Sequence, residues 1–112
     1  MTHLSVNISA SGDTAIVSNA IASLRVNVFE AFLVGDTDVR LTVKDSAGSA
    51  ISGPIPIKSG ASLLLDLRRD PVSNKFIPWW QTALGTGLTF NLNVAVQLSG
   101  WIKYETSGLG VL

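Results

Sequence analysis

The chain contains no cysteine and a single histidine among its 112 residues. Disulfides, thiolate metal sites and thiol chemistry are thereby excluded, while redox compartment is left open. Charge is scarce as well. Only 14% of the residues are Asp, Glu, Lys or Arg, against about 25% in an average soluble domain. Either another chain covers part of the surface, or Ser, Thr and Asn solvate it. Eight basic residues balance eight acidic ones, and no segment gathers positive charge beyond Leu67-Arg68-Arg69-Asp70. Nucleic-acid affinity comes largely from neutralised phosphates, so no nucleic-acid partner is expected. No apolar run is long enough to cross a bilayer, and Met-Thr-His-Leu-Ser-Val lacks the basic and apolar regions of a leader. The expectation is a soluble protein with no membrane partner.

What the chain does have is alternation. From Leu88 to Tyr104 the residues Leu88, Phe90, Leu92, Val94, Val96, Leu98, Ile102 and Tyr104 hold even positions. Thr89, Asn91, Asn93, Gln97, Ser99 and Lys103 hold odd ones. A period of two places alternate side chains on opposite faces of a strand. Fully extended at roughly 3.3 Å per residue, this run would exceed about 50 Å, whereas a domain of this size has a radius of gyration near 13 Å. It must bend or break, with Ser99-Gly100 the first candidate and Asn93 the second.

Upstream, Leu4, Val6 and Ile8 alternate with Ser5, Asn7 and Ser9, and Ser11-Gly12-Asp13 forms a turn. Thr14 to Ser18 is a short strand. Leu24, Val26 and Val28 then give way to Phe29, Ala31 and Leu33 on the other parity, which fits a strand bulged near Phe29-Glu30 or buried on both faces. Gly35 to Asp38 is a turn, and Val39, Leu41 and Val43 suggest a hairpin with the preceding strand. Ala50 to Ile57, with Pro54 and Pro56, is an edge or bulged strand, because proline cannot donate to a ladder. Ser62 to Leu67 is another strand, Arg68 to Gln81 the longest irregular stretch, and Thr106 to Leu112 a loose tail. The pattern predicts one domain over residues 1–112: an all-β, antiparallel two-sheet sandwich of seven or eight strands, open to jelly-roll connectivity.

Catalytic constellations are sparse. His3 stands near a terminus without a second ligand, so a solvated side chain is the simpler reading. Asp36-Thr37-Asp38 lacks the further ligands and distal glutamate of a calcium loop. Asp66 and Asp70 beside two arginines read as ion pairs at a strand end rather than a glycosidase pair. Ser18, Ser59 and Ser99 have no base to activate them, and Gly85-Thr86-Gly87 has no following helix to complete a phosphate loop. No enzyme, metal or cofactor is expected. The aromatic set remains. Of adjacent Trp79 and Trp80, one caps the core and the other points outward, and odd parity puts Trp101 on the polar face. An outward tryptophan marks an interface or a sugar platform; all three filling ends of the core is the plain alternative. The candidate partner-binding residues are Arg68, Arg69, Phe76, Trp79, Trp80 and Trp101.

The order of segments also resembles a known group. An Arg-Val strand, a Leu-Thr-Val strand, Gly-Pro-Ile-Pro-Ile and a Leu-rich strand precede Trp-Trp-Gln-Thr-Ala-Leu-Gly-Thr-Gly-Leu and the final alternating run. Over Ile21 to Tyr104 this is similar to small β-sandwich structural proteins of tailed phages and prophages. Trp80, Thr82, Gly85, Leu88, Leu92, Val94, Val96, Gly100 and Tyr104 match the group's closing pattern. The Arg68-to-Phe76 insertion departs from it, being longer and more charged. The resemblance implies a capsid decoration (cement) protein, made in the host cytoplasm and carried on the virion surface. Its expected partners are the major capsid protein and other copies of itself, in a homotrimer. A carbohydrate-binding or adhesion module of a phage tail, using Trp101 with Gln97 and Asn93, is the alternative.

Overall fold

Most of the alternating sequence is extended, the exception being Asn93 to Gln97. The computed structural model describes residues 1–108. It forms β1 (Thr2–Ile8), β2 (Gly12–Val17), β3 (Leu24–Gly35), β4 (Val39–Asp45), β5 (Ile55–Ile57), β6 (Ser62–Leu65), β7 (Trp80–Gln81), β8 (Leu88–Leu92) and β9 (Leu98–Gly108). The front sheet has the order β1-β9-β3-β6, with β7 also on β3, and the back sheet the order β2-β8-β4-β5. Every pairing is antiparallel.

The pairs are nested: β1 with β9, β2 with β8, β3 with β6 and β7, β4 with β5. A long hairpin rolled into two facing sheets has this order, so the sandwich is a jelly roll. Between the sheets lie Val6, Ile8, Val26, Val28, Ala31, Leu33, Leu98 and Ile102 from the front. Val39, Leu41, Val43, Ile57, Leu88, Phe90 and Leu92 meet them from the back. Each comes from the apolar parity of its own strand, which is why the period-two pattern was sufficient to fix the fold class.

Polar side chains stitch the ends of the strands. Buried Asp45 accepts the amides of Ala47 and Ser49 at 3.0 Å each, closing the turn after β4. Thr82, also buried, accepts the Val26 amide at 2.9 Å through its hydroxyl oxygen. These bonds satisfy groups that would otherwise be desolvated without partners.

Three expectations are corrected. The Leu88–Tyr104 run breaks between Leu92 and Leu98, starting at the second candidate, Asn93, and not at the first, Ser99-Gly100, and its halves lie in opposite sheets. There the Asn93 carboxamide oxygen accepts the Arg40 amide at 2.7 Å and terminates β8. Gly100 instead sits inside β9 with φ 144°, where an added Cβ would fall 1.8 Å from the Phe32 carbonyl oxygen. Glycine is there because two strands press together, not because the chain turns. Second, Gly35–Asp38 does not make a hairpin: it carries the chain from the front sheet to the back one. Third, Thr106–Gly108 continue β9 along Leu24–Val26, so the expected tail loses its first three residues; the remaining four lie outside the described residues. The parity change at Phe29 is a bulge, with the β3–β9 register shifting between Val28 and Glu30.

Candidate interaction surface

The bulge prepares the site. Val28 faces the core and Glu30 faces outward, so the extra residue Phe29 is turned to the outer side of the front sheet. An exposed phenylalanine there would be costly, and it is 2% exposed because the segment between β6 and β7 folds over it. Phe76 meets it edge-on at 6.1 Å between ring centroids. Sequence, bulge and loop are thus one device: the misfit in β3 makes the socket in which the loop is seated.

That loop is not irregular. Arg69 bridges Phe76, the Asp70 amide donates to Lys75 O at 2.8 Å, and the Ile77 amide donates to Arg68 O at 2.9 Å. The Asp70 carboxylate accepts the Val72 amide at 2.8 Å, and Asn74 takes the left-handed conformation with φ 58°. Aspartate, proline and asparagine are the residues such a tight reversal selects. Val72 stands at its tip, 93% exposed.

Arg68 and Arg69 do not form the expected ion pairs. The salt bridges among the described residues lie elsewhere. Each arginine stacks on an aromatic ring, Arg68 3.6 Å above Trp79 and Arg69 4.5 Å above Phe76. Guanidinium is planar and weakly hydrated, so a flat π face suits it better than it would suit lysine. Trp79 is pinned from its other atoms too. Its indole N–H donates to Asp66 O at 2.7 Å and its amide to Val28 O at 2.8 Å. Trp80, offered above as a partner-binding residue, points the other way. It is 7% exposed and meets Phe90 edge-on at 5.9 Å, and so belongs to the core.

Beside the loop, the outer face of the front sheet carries an apolar row. Register places Leu64 next to Phe32, Phe32 next to Trp101, and Trp101 next to Ser5. Phe32 and Trp101 stack at 6.4 Å, and His3 covers the other side of Trp101 at 5.5 Å. One step along, Lys103 pairs with Glu30 at 3.4 Å and leans over Trp101 at 5.7 Å. Leu64 is 54% exposed. Trp101 therefore faces outward, as parity requires. Phe32, Leu64 and Phe29 were missed by the sequence reading, although the parity that sends Leu33 and Leu65 inward sends Phe32 and Leu64 out. His3 is exposed, as a solvated side chain should be, and its ring also lies against Trp101 at the end of the row.

The back sheet's outer face is different in kind. It presents Asp13, Asn91, Thr42, Lys44 and Arg40, with Lys44 3.2 Å from Asp13 and the Asn91 amide donating to Asp13 at 2.7 Å. These partners hold the Asp13 carboxyl below the ordinary carboxylate value, Asn91 first and Lys44 second. Just past β5, the Ser59 amide and then Lys58 do the same for Asp38. The sandwich is therefore two-faced, aromatic in front and polar behind.

Among the described residues no three His, Asp or Glu side chains gather where they could hold a metal ion. Comparison with known proteins returns no matching family, no similar curated protein and no similar solved structure.

Proposed function

We propose that this protein is a non-enzymatic phage virion structural protein that decorates and stabilises a capsid, docking through the outer face of its front sheet and the Arg68–Trp79 loop. The observation that carries this reading is the asymmetry of the two outer faces. A row of Leu64, Phe32, Trp101 and His3 is open on one side while the other side is polar. Interfaces concentrate aromatic and arginine side chains at their centre, and this face offers both, already held in place by stacking. Order before docking lowers the entropic cost of binding. The jelly roll supports the reading by analogy only, since viral capsid proteins, lectins and cupins share it.

A glycan-binding reading has one observation in its favour. The Gln97 side chain bridges Asn7 and Ser99 on the same outer face as Trp101, a polar cluster beside an aromatic ring. Asn93 takes no part in it, being spent on the Arg40 amide of the back sheet.

Cosedimentation with shells of the same virus's major capsid protein tests the proposal. Wild-type protein is expected to pellet with shells. Trp101→Ala should weaken binding by about 30-fold, the effect of losing one interfacial hot spot of about 2 kcal/mol. Its circular dichroism should stay that of the folded protein. Failure of folded wild-type protein to bind, with specific retention on a glycan array, would replace decoration by the second reading.

A further inference from the structure

Each sheet of an open sandwich ends in two edge strands, and an unguarded edge is a template for pairing. Three of the four edges here are blunted. At one end of the back sheet β2 carries Asp13 and a register shift between Ala15 and Val17. At the other, β5 has three residues, one of them Pro56, and follows Pro54. The far edge of the front sheet consists of four-residue β6 and two-residue β7. The fourth edge, β1, has none of these devices. It runs seven residues, Thr-His-Leu-Ser-Val-Asn-Ile, with no proline, no Asp, Glu, Lys or Arg, and an unbroken register with β9. Among the described residues its backbone pairs with β9 alone.

We propose that two copies of this chain pair β1 against β1, antiparallel about a two-fold axis at Ser5, joining their front sheets into one. This edge can meet only its own copy within a homo-oligomer, because every other edge is blunted. The strand is also complementary to itself. Centring on Ser5 sets Leu4 against the second copy's Val6 and Thr2 against its Ile8, and keeps Leu4, Val6 and Ile8 facing the core side in both copies. His3 then falls opposite Asn7, so no like charges oppose each other even when the imidazole is protonated. Two small Ser5 side chains meet on the axis. They lie in the row of Leu64, Phe32 and Trp101, so the aromatic surface becomes continuous across the dimer. The symmetry is two-fold, unlike the trimer that the resemblance to phage proteins implies. The inference does not rest on the proposed function.

The chain has no cysteine, which permits a test of the register itself. Opposed residues on paired strands have Cα atoms about 4.5–5.5 Å apart, within reach of a disulfide. Ser5→Cys should cross-link to a dimer on mild oxidation. His3→Cys or Asn7→Cys alone should not, whereas a mixture of the two should. Native mass spectrometry of the wild type across a dilution series should show twice the 11.8 kDa chain mass. Ser5→Lys, an exposed change that sets two ammonium groups face to face, should raise the dimer dissociation constant about 10-fold or more. A strict monomer at all concentrations, a trimer, or a dimer indifferent to Ser5→Lys would overturn the proposal. So would protection of β1 amides from hydrogen exchange only when capsid shells are added, which would give the edge to a strand of the capsid protein.

Discussion

Replacing each of the adjacent tryptophans by alanine separates core from surface more sharply than any other pair of changes. Trp80 is 7% exposed and fills the space against Phe90. Its removal takes away apolar burial and leaves a void that the two sheets cannot close, at about 3–5 kcal/mol. Trp79 is 37% exposed. Its removal loses a stacking contact with Arg68, worth about 0.5–1 kcal/mol at an exposed site. It also loses one hydrogen bond to Asp66 O, worth about 0.5–1.5 kcal/mol net. The sum for Trp79 is about 1–2.5 kcal/mol, and part of that is local to the loop. Urea denaturation followed by far-ultraviolet circular dichroism reads the difference directly. With a denaturant slope of about 1.5–2 kcal/mol per molar, Trp80→Ala should lower the midpoint by about 2 M and Trp79→Ala by about 1 M or less. Equal shifts, or a Trp80→Ala shift below that of Trp79→Ala, would refute the assignment of Trp80 to the core and of Trp79 to the loop clamp.

Gly100→Ala should cost about 3 kcal/mol or more, because the new Cβ would lie 1.8 Å from a backbone oxygen in the middle of the front sheet. Gly53→Ala, with open space around its Cβ position, is the control and should be nearly neutral by the same denaturation assay. Asn74→Ala should destabilise by about 1 kcal/mol through its left-handed backbone, while Asn74→Gly should be neutral or stabilising; thermal melts of both check this. Acid titration should expose the two depressed carboxyls, Asp13 and Asp38. A folded pKa below the unfolded one contributes stability that is present above the ordinary value of 3.8 and is lost as pH falls through the folded value. Asp13→Asn and Asp38→Asn should each flatten the stability profile below that pH, and an unchanged slope would remove these contacts from the account.

The architecture was legible because burial follows parity. Val26 and Val28, then Ala31 and Leu33, read correctly across the Phe29 bulge. What local pattern could not convey was long-range placement. The even positions of Leu88–Leu92 and Leu98–Tyr104 look like one strand, because the five-residue link between them preserves parity while the chain passes to the opposite sheet. Gly35–Asp38 fails for the same reason, since an arch between sheets and a hairpin within one ask for the same turn residues. Gly100 was visible as an exception, but crowding and turning both select glycine. At the site, one-in and one-out tryptophans followed from adjacency, while which of them faced inward depended on Phe90 and on the loop that returns over Phe29. The arginines were read by charge and turned out to be held by ring faces.

The nested order has a consequence for how the molecule is made. β9 lies between β1 and β3, yet among the described strands it is the last to be synthesised. Ile8 must wait for Leu98, some ninety residues later, before it has a neighbour. At about 5–20 residues per second, β1 leaves the ribosome roughly 5–20 s ahead of the strand that shelters it. Throughout that interval the nascent chain carries an uncharged, proline-free segment with both edges bare. Crowded polysomes, rather than the finished protein, are therefore where premature strand exchange between neighbouring chains is most exposed, and a slower-translated message should yield more of it.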